Sequence, residues 1–303
     1  MENQTTSYVV VLSGLSDLPS LQLPLFLVFL WVYLMTLIGN LLILILICTD
    51  SNLQTPMYFF LGTLACLDMS FSSVTSPRML FDFYRQKKII SVEACTSQIF
   101  FFLFFATSEI SLLAVMSYDR YLAICHPLHY TQIMHWKACV LLVSGVLMIS
   151  VINPMVQVLF LLKLTFCRLT TLQSFLCDLP QLLLVSCSDT FINVLLILIL
   201  TIFPGGGIFA LTFCPYIIIL NTIMKMQSKA MRSKAFSTCS SHLTVVFIFY
   251  VTALFSYFHP NVKDHSAVDK VVSVCYAILT PLVNPLIYSL RNKEIKISLK
   301  KCI

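Results

Sequence analysis

Long apolar runs, each close to the length that crosses a bilayer, alternate along the chain with short polar segments. A helix rises about 1.5 Å per residue, so roughly 20 predominantly apolar residues cover a hydrocarbon core about 30 Å thick. The pattern places such runs at about 25–48, 58–80, 97–119, 138–161, 191–223, 237–258 and 268–290. It predicts an all-α membrane protein, a seven-transmembrane helix bundle that fills residues 1–303 as a single domain and closes with a short amphipathic tail helix. The fifth run is interrupted by Pro204, Gly205, Gly206 and Gly207, which predicts a kink or local unwinding there. Pro154, Pro215, Pro281 and Pro285 also fall inside apolar runs. Backbone groups freed at membrane depth must be satisfied by packed neighbours.

An odd number of crossings puts the two termini on opposite sides. The segment before the first run has no Lys or Arg, whereas the tail carries Arg291, Lys293, Lys296, Lys300 and Lys301. Lys225, Lys229, Arg232 and Lys234 add to the same side, so the N-terminus is expected outside and the C-terminus in the cytoplasm. Arg85, Lys87 and Lys88 in the first outer loop oppose the trend. No signal-peptide pattern precedes the first run, which is expected to act as its own insertion signal.

Composition agrees with a lipid environment. Hydrophobic residues make up 58% of the chain and charged residues 11%, against about 25% charged in an average soluble domain. The net charge of +6 is spread without a basic stripe, so no nucleic-acid partner is expected. On the predicted outer side lie a glycosylation sequon at Asn3 and four cysteines, Cys95, Cys167, Cys177 and Cys187. Disulfides persist in that compartment, and four cysteines allow three connectivities.

Ionisable side chains at membrane depth are costly and are functional candidates. Four are found: Asp68 in the second run and Glu109, Asp119 and Arg120 in the third. Glu109 and Arg120 lie about three helical turns apart and share one face, with Phe102 and Ala106 further out on the same stripe. Asp68 and Glu109 can hold a cation or share a proton. Equally, they can form a structural hydrogen-bonded group with Asn284. Candidate pocket positions are the outer half of the third run and Tyr250, Leu254 and Tyr257, which follow i, i+4, i+7 spacing.

Several runs then become specific. Met116-Ser117-Tyr118-Asp119-Arg120-Tyr121-Leu122-Ala123-Ile124-Cys125-His126-Pro127-Leu128-His129-Tyr130 closely resembles the vertebrate odorant-receptor signature at the inner end of the third helix. Thr55-Pro56-Met57-Tyr58-Phe59-Phe60-Leu61, Lys234-Ala235-Phe236-Ser237-Thr238-Cys239-Ser240-Ser241-His242-Leu243 and Pro281-Leu282-Val283-Asn284-Pro285-Leu286-Ile287-Tyr288 are similar to that family's second-, sixth- and seventh-helix motifs. Gly39-Asn40 completes the set, and the likeness runs through nearly the whole chain in order.

The resemblance implies a rhodopsin-like receptor that activates a heterotrimeric stimulatory olfactory G protein and raises cyclic AMP. It implies disulfides Cys95–Cys177 and Cys167–Cys187, and an inner lock of Asp119 and Arg120 beside Tyr121. Tyr216, His242, Asn284 and Tyr288 would rearrange around Arg120. It also implies a buried ion site, with sodium the candidate, at Asp68 and Glu109. Partners implied are a small volatile odorant, membrane lipids and trafficking chaperones, with no cofactor. The expected location is the plasma membrane, in olfactory neuron cilia. Pro215 before Tyr216, where the family more often has Ser, Met231, where Gly is common, and the Gly205–Gly207 run depart from the pattern.

Expected ligand contacts are Phe102, Leu103, Ala106, Thr107, Tyr250, Leu254, Tyr257 and Tyr276. The outer half of the third run has no acid to pair a cationic amine, and Lys270 lies at the outer end of the seventh, where no retinal Schiff base forms. A small, neutral, largely apolar ligand suits what remains. Enzyme motifs are absent from the sequence, and no internal repeat of the kind transporters carry is visible. The alternative is a related chemosensory receptor, expressed in another tissue, for a small metabolite.

Overall fold

The computed structural model describes residues 9–15, 18–85, 88–166, 170–172, 174–225, 227–258, 270–271 and 273–302. Among these, α1 (Pro19–Thr49), α2 (Pro56–Asp82), α3 (Val92–Cys125), α5 (Trp136–Leu161) and the α7–α8 span (Phe191–Lys225) are each long and apolar enough to cross a membrane. A short α4 (Pro127–Ile133) follows α3, and α6 (Leu179–Leu184) precedes the fifth span. The bundle is completed by α9 (Lys229–Phe258), by a seventh span ending in α10 (Thr280–Arg291), and by the tail helix α11 (Lys293–Cys302). α3 is the axis of the bundle, packing on α2, α5 and α8, while α1 lies against α2 and α10.

The fifth span does not break at its glycines. Instead α7 (Phe191–Ile197) passes through a π turn at Leu198–Ile202, and α8 (Phe203–Lys225) then runs unbroken through Pro204 and Gly205–Gly207. The cause lies in the proline. Pro204 has no N–H and its ring would meet the carbonyl four residues back. The turn before it widens, so that the Phe203 N–H donates to the Leu198 carbonyl, five residues back. The seventh span repeats the device. Cys275–Leu279 is a π turn, the Thr280 N–H donates to the Cys275 carbonyl, and Pro281 follows.

Side chains from neighbouring helices take up the freed carbonyls. Pro281 leaves the Ala277 carbonyl without its helical donor, and the Thr75 hydroxyl of α2 lies 3.5 Å from it. Pro285 leaves the Pro281 carbonyl free, and Asn40 Nδ2 of α1 donates to it at 3.1 Å. A Cβ on Gly39 would stand 3.5 Å from the Pro285 ring. The Gly39-Asn40 pair therefore docks α1 onto the broken backbone of the seventh span.

The sequence pattern did not anticipate a small sheet at the outer end. β1 (Val9–Leu12) pairs antiparallel with β2 (Ile89–Ser91) and parallel with β3 (Thr170–Leu172), with Val10 opposite both Ile90 and Thr170. Val10 and Leu12 point into a buried cluster with Ile90 and Leu172. At the other end Tyr58 donates towards Asn292 Oδ1 and Glu294 Oε2, both at 3.2 Å, and Lys301 approaches Asp50 at 4.0 Å. Ile295 and Leu299 turn the apolar face of α11 onto the main core.

Candidate ligand-binding site

A cavity of about 410 Å³ lies between α3, α5, the π turn of the fifth span, α8, α9 and the seventh span. α3 supplies Leu103, Ala106, Thr107 and Ile110, four positions of one helical face. The fifth span supplies Leu200, Thr201, Ile202, Pro204, Gly205, Gly206, Ile208 and Phe209. Phe249, Tyr250 and Leu254 of α9, Tyr276 of the seventh span and Asn153 of α5 close it. No added Cβ at Gly205, Gly206 or Gly207 would meet another atom within 4 Å. The glycines therefore leave open space rather than permit a close helix contact.

Six of the eight residues expected to touch a ligand line this cavity: Leu103, Ala106, Thr107, Tyr250, Leu254 and Tyr276. Phe102 does not. Its ring packs on Phe71 at 5.2 Å and on Tyr276 at 5.5 Å, wedged between the second, third and seventh spans. The side chain of Tyr257 lies outside the described residues. Tyr250 is held in place by Phe209 at 5.0 Å and Phe213 at 5.7 Å, with its hydroxyl 3.4 Å from that of Thr212. Sequence reasoning missed Asn153 and Thr201, together with Gln157 behind them. Asn153 and Gln157 are polar residues one turn apart in an apolar run, a signal that intramembrane cost could have flagged.

Deeper in the bundle, Asn284 Nδ2 donates to both oxygens of Asp68, at 3.0 and 3.1 Å. The Glu109 carboxyl lies against the Asp68 carboxyl. Neither Glu109 oxygen finds a hydrogen-bond donor among the described residues. Asp68 and Glu109 are each 1% exposed. Two buried carboxyls facing each other, with no other donor to Glu109 among the described residues, fit a shared proton or a small monovalent cation. Among the described residues, no group of three or more His, Cys, Asp or Glu is gathered in a way that would hold a metal ion.

Towards the cytoplasmic end, Arg120 is bound to its neighbour Asp119, with Nε 3.0 Å from Oδ2. The other Asp119 oxygen accepts from the Tyr130 hydroxyl at 2.8 Å. Tyr130 sits in α4, and burial, followed by the adjacent Asp119 carboxylate, pushes its phenol up, so it stays protonated and donates. This partner was not foreseen from the sequence. Tyr216 of α8 shares a hydrogen bond with His242 Nδ1 of α9, and both are buried. Tyr121 reaches His126 Nε2 at 2.9 Å, and Cys125 Sγ lies 3.4 Å from the Thr222 hydroxyl. The side chain of Tyr288 lies outside the described residues.

At the outer end Cys95 and Cys177 form a disulfide that ties the segment before α6 to the start of α3. Gln98 Oε1 accepts the Cys177 N–H at 3.2 Å beside it. Cys187 is also disulfide-bonded, while its expected partner Cys167 and the sequon residue Asn3 lie outside the described residues.

A sequence profile of the family described as Olfactory receptor matches residues 29–303. Olfactory receptor 5B12 of Homo sapiens is 46% identical over 303 residues, covering 100% of this chain and 96% of the relative. Olfactory receptor 8G17 of Mus musculus is 46% identical over 305 residues, covering 99% of this chain and 98% of the relative. Among solved structures, squid rhodopsin has a similar fold, with a TM-score of 0.70 at 20% identity over 94% of this chain and 86% of that one.

Proposed function

The chain belongs to the olfactory receptor family, and from that premise we infer that it is an odorant receptor whose cavity takes a small, mostly apolar molecule. It is a multi-pass membrane protein of the rhodopsin-like fold that signals through a G protein. The observation that carries the ligand reading is the cavity of about 410 Å³, apolar over most of its wall with a few placed polar groups. The contacts proposed are Leu103, Ala106, Thr107, Tyr250, Leu254 and Tyr276, with Tyr257 added from its sequence spacing alone. Phe102 would act one layer back, by holding Tyr276 in place.

The partner proposed inside is the stimulatory olfactory G protein, and the readout is cyclic AMP. Asp119, Arg120 and Tyr130 form the resting lock, and ligand binding favours a state in which Arg120 leaves Asp119 to meet the G protein. Tyr121, Tyr216, His242, Asn284 and Tyr288 are the groups proposed to rearrange around it. Asp68 and Glu109 would hold a sodium ion or a proton, supplying positive charge between two buried carboxyls. Location in ciliary plasma membrane, delivery by trafficking chaperones, glycosylation at Asn3, a Cys167–Cys187 bond and a non-enzymatic role follow the same family reading.

The test is a cyclic AMP reporter in cells that supply the olfactory G protein and chaperones, challenged with a panel of volatiles. Arg120→Ala is expected to abolish the response while surface staining persists. A normal response from well-expressed Arg120→Ala would remove the lock from the mechanism.

A further inference from the structure

Thr201 departs from the commonest pattern of the intramembrane threonines. Thr36, Thr212, Thr222 and Thr252 each donate their hydroxyl proton to the carbonyl four residues back in the same helix. Thr201 sits in the π turn of the fifth span and makes no such bond among the described residues. Its oxygen instead accepts from two amides of α5. Gln157 Nε2 lies 2.8 Å away and Asn153 Nδ2 3.4 Å away. Gln157 Nε2 also donates to Asn153 Oδ1, which locks the two amides together.

A hydroxyl carries one proton and two lone pairs. Both lone pairs of Thr201 are engaged, so its proton is the group left to give. Thr201 and Asn153 line the cavity, and Gln157, 2% exposed, buttresses them from behind. Gln157 does not line the cavity, so its unpaired Oε1 is not a ligand contact, and the Thr201 hydroxyl proton is the donor that this wall presents. A polar group buried in an apolar wall is costly unless something answers it.

We propose that Thr201, set by the Asn153–Gln157 amide pair, is the polar anchor of the cavity and donates to a carbonyl oxygen of the ligand. The favoured class is therefore a ketone, aldehyde or ester with an apolar body, the body lying over Gly205 and Gly206. This deepens the odorant-receptor reading and rests on it. Asn153 and Gln157 are positioning residues, because they act through the direction in which they hold the Thr201 hydroxyl.

The experiment uses the full-length receptor in the cyclic AMP assay with two matched probe sets. One contains methyl ketones, aldehydes and esters of graded chain length. The other contains hydrocarbons in which a methylene replaces each carbonyl oxygen. The unsubstituted receptor is expected to respond to members of the carbonyl set at concentrations at least about tenfold lower than to their partners. Thr201→Val keeps the shape and removes the proton, and is expected to erase that preference by weakening carbonyl responses at least about tenfold more than hydrocarbon responses. Thr201→Ser restores it. Responses that ignore the carbonyl, or a Thr201→Val loss shared equally by both sets, would overturn the anchor alone. Silence towards both sets at verified surface level would overturn the anchor and the odorant-cavity reading together.

Discussion

Gly206→Leu separates the space-making role of the glycine run from any role in helix packing. Glycine inside a helix costs about 1 kcal/mol relative to alanine, so Gly205, Gly206 and Gly207 together forgo roughly 3 kcal/mol. A cost of that size is a large part of a typical folding stability of about 5–15 kcal/mol. The first atom of any larger side chain enters free space at all three positions. A Cβ at any of them therefore meets no neighbour, and the helix itself should gain stability on substitution. The three positions nevertheless face different voids. Gly205 and Gly206 line the cavity of about 410 Å³, whereas Gly207 lines a separate groove with Ser111, Ala114, Leu142 and Cys214. A leucine at 206 occupies volume that an apolar ligand needs. A ligand that loses burial of two methylenes loses about 1.6 kcal/mol, which is more than tenfold in affinity. Odorant potency measured by cyclic AMP should fall at least about tenfold in Gly206→Leu with surface expression equal to or above that of the unsubstituted receptor. Gly207→Leu should gain the same stability and keep its potency. Equal potency in Gly206→Leu, or equal losses in both variants, would refute the assignment of the glycines to the ligand space.

Two further outcomes are expected. If Asp68 and Glu109 hold a monovalent cation, the purified receptor melts higher in sodium chloride than in an equal concentration of a bulky organic chloride, because a bound ligand stabilises by mass action. Glu109→Gln should abolish that difference, and a sodium shift retained in Glu109→Gln would exclude Glu109 from the site. Tyr130→Phe removes the donor to Asp119 at 2.8 Å. A hydrogen bond to a charged acceptor is worth about 1.5–3 kcal/mol, so basal cyclic AMP should rise several-fold, and unchanged basal signalling would show that Tyr130 does not hold the lock.

The spans were legible because the bilayer imposes one requirement, apolar length, on every crossing. Even a helix in its own context, such as α1 with its lipid-facing Leu27, Trp31 and Leu34, announces itself by composition alone. The buried charges were legible for the converse reason, since carboxyls at that depth are costly without partners, and Asn284 does meet Asp68 there. Rotation of each helix about its axis was less legible. Spacing put Phe102 on the same stripe as Ala106, yet the ring packs on Phe71 and Tyr276, because spacing fixes where the Cβ points and not where a long side chain leans over the preceding turn. The prolines signalled disruption, but the form it takes depends on what neighbours offer. Thr75 and Asn40 take up carbonyls of the seventh span, and neither pairing is written in local sequence. The outer sheet escaped notice because its strands are only three or four residues long and gain their pairing from distant segments.

Both π turns end up on the same cavity. Leu200, Thr201 and Ile202 come from the turn before Pro204, and Tyr276 comes from the turn before Pro281. A wide turn is held by longer-range backbone bonds and carries side chains that a regular helix would rotate elsewhere. The cavity is thus bordered by the two π turns described in the bundle, and each leads on towards the cytoplasmic side along its own helix. From Tyr276 the seventh span runs to Asn284, which grips Asp68. From Thr201 the fifth span runs to Tyr216, which grips His242. A molecule that prefers one arrangement of these turns biases both grips at once, and that differential affinity is all a two-state receptor requires. The departures from helical regularity that looked like defects in the sequence are, on this argument, the places where binding energy enters the bundle.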